Sequence, residues 1–169
     1  TQVSRGELLI DTARVLGRYL DVLAIRTFAQ KDLETFAKYA KIPVINALTD
    51  REHPCQILAD LLTVKEYFGN LDGVTLSYFG DGNNVANSLL LGCAMVGINV
   101  RIATPENYMP NKEIVEEANT IAIANGKSEV IVTQNPQVAV KDSQVLYTDV
   151  WASMGQEQEA NNRIPIFQP

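Results

Sequence analysis

The stretch Val74-Thr75-Leu76-Ser77-Tyr78-Phe79-Gly80-Asp81-Gly82-Asn83-Asn84-Val85-Ala86 reads as a strand, a turn and the first residues of a helix. The apolar run from Val74 to Phe79 is too short for a helix, and loop formers close it abruptly at Gly80. The same alternation extends in both directions. Strands are predicted over Val22–Arg26, Pro43–Asn46, Val74–Phe79, Asn99–Ala103, Val130–Thr133 and Val145–Thr148. Helical patterns fall between them, over Asp11–Leu20, Lys31–Ala40, Pro54–Tyr67, Asn84–Val96 and Lys112–Asn125. Strands that alternate with helices imply βαβ units, hence an α/β protein with parallel sheets and flanking helices. The four strands from Val74 onward suffice for much of a doubly wound sheet, whereas the two before Asn46 supply only part of one. The turn Gly69-Asn70-Leu71-Asp72-Gly73 is the natural boundary, with the preceding helix as the link between two domains. The closing Ile164-Pro165-Ile166-Phe167-Gln168-Pro169 reads as an apolar segment with no element to pack against.

Bulk composition removes several classes of function. The chain has 169 residues, 46% of them hydrophobic, and 20 acidic against 14 basic residues give a net charge of -6. An acidic chain without a basic stripe does not suit a nucleic-acid partner. The longest apolar runs, Val74–Phe79 and Ser88–Val96, fall short of the roughly 20 residues that span a bilayer, so no membrane segment is expected. Two cysteines and one histidine offer neither a disulfide framework nor a metal-ligand spacing, and a reducing, cytoplasmic setting follows as the expectation. Cys55 and Cys93 are expected to be small buried apolar residues.

The Gly80-Asp81-Gly82 turn raises the question of a dinucleotide site. That fingerprint needs an acid at the end of the next strand to hold a ribose hydroxyl. Here the next strand ends Ile102-Ala103-Thr104-Pro105, which has none. What remains is a strand end with asparagines and helix N–H groups, suited to a carboxylate or another anion. From the turn alone, Asn83 and Asn84 read as helix caps.

Three other places carry candidate chemistry. His53-Pro54-Cys55-Gln56 sits at a strand-to-helix corner, because Pro54 favours the first helical position. An imidazole beside a helix N-terminus is disfavoured as a cation and serves as a neutral donor to a carbonyl oxygen, with Gln56 one turn away. Losing one such donor typically costs on the order of 10² to 10³ in rate. Arg26 ends the first strand on the edge where His53 should also lie, placed for phosphate or a polarised carbonyl. Past the last strand, Thr148-Asp149-Val150-Trp151-Ala152-Ser153-Met154-Gly155-Gln156-Glu157 reads as a ligand loop in which Asp149 and Ser153 accept an ammonium, or as an ordinary loop with an Asx turn.

Together, Asp11-Thr12-Ala13-Arg14-Val15-Leu16, His53-Pro54-Cys55-Gln56, Gly80-Asp81-Gly82-Asn83-Asn84 and the Thr148–Glu157 loop resemble ornithine carbamoyltransferases, in order and spacing over the whole chain. The His-Pro-x-Gln motif is common to the aspartate and ornithine enzymes, and the Asp-x-Trp-x-Ser-Met-Gly motif points to ornithine. The resemblance implies the C-terminal part of a carbamoyl-phosphate domain over 1–53, an interdomain helix over 54–69 and a C-terminally incomplete ornithine-binding domain over 70–169. It assigns Arg26 and His53 to the carbonyl oxygen of carbamoyl phosphate and Gln56 to its nitrogen. Gln2 would reach a neighbouring subunit's carbamoyl phosphate in a homotrimer. Asn84, Asp149, Ser153 and the backbone of Met154 would hold the α-groups of L-ornithine. No cofactor or metal is implied, and the pathway would be arginine biosynthesis. The family's Ser-Thr-Arg-Thr-Arg and His-Cys-Leu-Pro segments occur nowhere in the chain, so the polypeptide alone is expected to be nearly inactive. Rival readings are a carbamoyltransferase for aspartate or putrescine, and a non-catalytic amino-acid-binding fragment.

Overall fold

The structure, a computed structural model, describes residues 6–151 and 160–167. The chain separates into two compact units, 1–55 and 56–169.

In the first unit, helix α1 (Leu9–Leu16), strand β1 (Leu23–Arg26), helix α2 (Gln30–Tyr39) and strand β2 (Val44–Leu48) form one βαβ arrangement with a helix before it. β1 and β2 pair in parallel, Leu23 opposite Val44, with the register shifting between Ile25 and Arg26. Ala13, Phe36 and Ala40 form the buried centre, covered by Leu9, Leu16, Ile25 and Val44. α1 ends four residues earlier than its apolar pattern predicts. A Cβ on Gly17 would lie 1.8 Å from the Ala40 carbonyl oxygen, so the two helix ends nearly touch there. Beyond it the chain tightens, with Arg18 N–H on the Val15 carbonyl and Tyr19 N–H on that of Leu16. Tyr19 points into solvent, so nothing rewards continuing the helix.

Helix α3 (Pro54–Phe68) opens at the proline, as N1 geometry favours, and runs into the second unit. There β3 (Thr75–Phe79), α4 (Asn84–Val96), β4 (Asn99–Ala103), α5 (Lys112–Asn125), β5 (Val130–Thr133), α6 (Pro136–Val140) and β6 (Val145–Thr148) follow. All four strands are parallel, in the order β5-β4-β3-β6. Central β3 is buried on both faces: Leu76 and Tyr78 enter the main core with Ile57, Leu61, Leu89 and Leu90, while the alternate Ser77 donates its hydroxyl to the Ala139 carbonyl of α6 at 2.6 Å. Helices thus cover both faces, as an all-parallel sheet requires. α3 and α4 cross closely, since a Cβ on Gly92 would meet Ile57 Cγ2 at 2.6 Å. The parallel α/β fold class and every predicted strand are present; β2 begins one residue later than predicted and runs on to Leu48.

Three elements lack a strong local signature. A 3₁₀ turn (Glu106–Tyr108) and α6 each depend on a proline at or just before their start. The third, helix α7 (Ala160–Phe167), corrects the expectation that Ile164–Pro169 has nothing to pack with. Phe167 meets the Tyr108 ring edge-on at 4.9 Å and stacks on Trp151 at 5.8 Å, and Arg163 pairs with Asp81. Among the described residues, no helix is long and apolar enough to cross a membrane.

Candidate functional site

Parallel strands deliver their C-terminal ends to one edge, and the candidate residues hang from such edges. In the first unit, Thr27 N–H donates to the Leu48 carbonyl at 3.0 Å and Asp50 N–H to that of Phe28 at 2.8 Å. The loops after β1 and β2 are therefore tied together, and Arg26 and His53 leave the sheet on the same side. Arg26 is exposed and lines a cleft of about 560 Å³ whose walls include Leu9, Val15, Ile25 and Phe36. His53, partly buried, is the residue immediately before α3. Cys55 is exposed, not buried as expected, and its Sγ donates to the Asn46 carbonyl at 3.3 Å. The helix start turns it outward, while Ile57 faces the core at 3% exposure.

In the second unit, Gln56 lies in the first turn of α3 and donates through Nε2 to Asp60 Oδ1 at 2.9 Å. The Gln56 side chain also hydrogen-bonds to the Tyr147 phenol. The Tyr147 phenol is pushed well above its ordinary range, by burial first and then by the Asp60 charge. Gln56, Asp60 and Tyr147 thus form one polar cluster beside an apolar core.

The ends of β3 and β6 are neighbours, since Phe79 pairs with Thr148 and the Thr148 hydroxyl donates to the Phe79 carbonyl at 2.9 Å. Asn83 caps α4: its Oδ1 accepts from Val85 N–H at 3.0 Å and Ala86 N–H at 3.2 Å. Its Nδ2 donates to Asp149 Oδ2 at 3.1 Å. Asn84 is the first helical residue and partly buried. The turn can come this close because residue 82 is glycine, where a Cβ would lie 2.2 Å from Pro110 N. Gly82 N–H also donates to the Tyr108 carbonyl at 2.8 Å. A second carboxylate, Asp81, is clasped by Arg163 at 2.6 Å, and the guanidinium also donates to the Trp151 carbonyl at 3.1 Å and lies over the Tyr108 ring. Burial raises the Asp81 pKa, Arg163 works against that rise, and the charge of Asp149 adds to it.

Arg26 and His53 are thus brought to one strand edge, and Asn84 and Asp149 to another. Gln2, Ser153 and Met154 lie outside the described residues. Reasoning from sequence missed Asp60, whose signal was its i,i+4 spacing from Gln56, and underrated Asn83 as a cap alone. It also missed Arg163, for which no local signal exists because its partner is 82 positions away.

Comparison with known proteins follows the same division. Residues 1–66 match the family model described as aspartate/ornithine carbamoyltransferase, carbamoyl-P binding domain, and residues 72–169 match the Asp/Orn binding domain of the same family. The chain is 73% identical over its full 169 residues to the ornithine carbamoyltransferase of Nostoc punctiforme, covering 55% of that protein. It is 63% identical to the one from Synechocystis, covering 54% of it. Among solved structures it is similar to the Pyrococcus furiosus ornithine carbamoyltransferase, with a TM-score of 0.91 at 49% identity over 97% of this chain and 52% of that one. The Gloeobacter violaceus enzyme gives a TM-score of 0.84 at 59% identity over 86% of this chain and 50% of that one. The chain spans about half the length of the relatives it matches.

Proposed function

The chain belongs to the aspartate/ornithine carbamoyltransferase family, and from that premise we propose that the protein it forms part of transfers the carbamoyl group of carbamoyl phosphate to the δ-amine of L-ornithine. Residues 1–53 then contribute to carbamoyl-phosphate binding, 54–69 to the connecting helix and 70–169 to ornithine binding. Arg26 and His53 donate to the carbonyl oxygen, and Gln56 lies at the carbamoyl nitrogen. Gln2 reaches the carbamoyl phosphate of a neighbouring subunit in a homotrimer. Asn84, Asp149, Ser153 and the Met154 backbone take the α-carboxylate and α-ammonium of ornithine. The δ-amine attacks the carbonyl carbon, negative charge collects on the carbonyl oxygen, and the carbon–oxygen bond to phosphate breaks, so that phosphate leaves with the proton lost from the attacking nitrogen and citrulline remains. Orientation and fixed donors supply most of the acceleration in such a reaction.

The observation that carries the ornithine half is the joined end of β3 and β6. An α-amino acid needs an anion for its ammonium and a positive field for its carboxylate. Asp149 supplies the first, and the α4 N-terminus beside it supplies the second. Calorimetry of the chain with L-ornithine, aspartate and putrescine, with and without fresh carbamoyl phosphate, tests this. L-ornithine should bind, more tightly when carbamoyl phosphate is present. Tighter binding of aspartate or putrescine would transfer the proposal to another carbamoyl acceptor. Ornithine binding indifferent to carbamoyl phosphate would favour an amino-acid-binding module. For the 169-residue chain alone, citrulline formation should be a small fraction of that of full-length relatives, since the Ser-Thr-Arg-Thr-Arg and His-Cys-Leu-Pro segments do not occur in it. A comparable rate would overturn that part.

A further inference from the structure

We propose that Asn83, through its side-chain amide, is a positioning residue for Asp149, holding that carboxylate at the strand end where it meets the ammonium of an amino acid. The last clause rests on the ornithine reading above; the positioning itself does not.

An asparagine amide has one acceptor and one donor end, and which way round it sits is ordinarily ambiguous. At Asn83 the helix decides. Two backbone N–H groups, of Val85 and Ala86, converge on one end of the amide at 3.0 and 3.2 Å, and only an oxygen satisfies them. The NH₂ is thereby turned to the opposite side, where Asp149 Oδ2 lies 3.1 Å away. The cap keys the amide, and the amide holds the acid. The two residues arrive by separate routes, Asp149 directly after β6 and Asn83 at the turn after β3, and the Thr148 hydroxyl on the Phe79 carbonyl fixes those strand ends against each other.

Asp81 is close enough to feel the charge of Asp149. The two carboxylates have separate partners: Arg163 clasps Asp81 and Asn83 takes Asp149. An identical cap elsewhere serves as an internal control. Asn111 Oδ1 accepts from Glu113 N–H at 2.9 Å and Ile114 N–H at 3.4 Å at the start of α5, yet among the described residues its Nδ2 donates to no carboxylate.

The test compares Asn83→Ser with Asn111→Ser in the 169-residue chain. Serine caps a helix nearly as well as asparagine, so both variants should melt close to the parent. It is too short to reach the acid. Asn83→Ser should therefore weaken L-ornithine binding ~10-fold, the size of one charge-assisted hydrogen bond, with carbamoyl phosphate binding unchanged. Asn111→Ser should leave both unchanged. Equal ornithine affinity in Asn83→Ser and the parent, or an equal loss in Asn111→Ser, would overturn the assignment. A second readout is independent of substrate: the Asn83 side-chain NH₂ resonances should shift in Asp149→Ala. If the parent chain binds no ornithine, the substrate reading falls, and these resonances alone decide the positioning. Their indifference to Asp149→Ala would refute it.

Discussion

Cys93 and Cys55 show how burial separates two copies of one side chain. Cys93 has no exposed surface, and burial, with the charge of Asp60 second, pushes its thiol up to about 12. Cys55 is exposed at the start of α3. A thiol reagent should accordingly titrate one cysteine in the native chain and two after denaturation; rapid reaction of both under native conditions would contradict the core assigned here. Asp60 links that core to Gln56. Replacing it with alanine removes the acceptor that orients the Gln56 amide, and carbamoyl phosphate binding should weaken several-fold while L-ornithine binding is retained. Loss of both together in calorimetry would mean that Asp60 acts only through stability. The positions of His53, Gln56 and Asp149 at strand and helix ends were legible in the sequence because each end is punctuated by a proline or a loop former. The dual use of Asn83 was not, since its second partner is 66 positions away and only sheet order brings it near.

Elements announced themselves where their pattern was local and failed where an end depends on a distant contact. α4 and α5 have the bounds their caps predict, with Asn83 and Asn111 before them and Gly97 and Gly126 after. α1 stops early because of Ala40, and α7 exists as a packed helix because of Asp81, Tyr108 and Trp151. Two glycines mark such contacts. Gly17→Ala and Gly82→Ala each force a methyl against backbone atoms of another segment, and each should cost about 1 to 3 kcal/mol in denaturant unfolding. A neutral effect at either would mean that the segments separate freely. The Asp81–Arg163 clasp of α7 carries a pH signature. Because burial holds the Asp81 pKa above its unfolded value, its contribution to stability is full below the unfolded pKa and is lost as pH rises through the folded one. Asp81→Asn stays neutral throughout, so the melting temperature of the parent should fall relative to that variant as pH rises above the ordinary carboxylate range; a relative rise would reverse the sign assigned to burial.

The two units differ in how much they bury. The centre of the first is Ala13, Phe36 and Ala40, whereas the second encloses a cluster running from Ile57 to Ala122 with β3 sealed on both faces. Amide protection should follow that difference. In hydrogen exchange, β3 and β4 should open last and β1 and β2 well before them. Uniform protection across all strands would argue against two cores of unequal size. The sheet order has an implication for biosynthesis as well. β6 docks beside β3, so the ribosome releases the cap of α4 long before it makes the acid that the cap's amide will hold. Every nascent chain short of residue 149 carries the Asn83 amide without the carboxylate it will hold, and the pair forms only once β6 has docked beside β3.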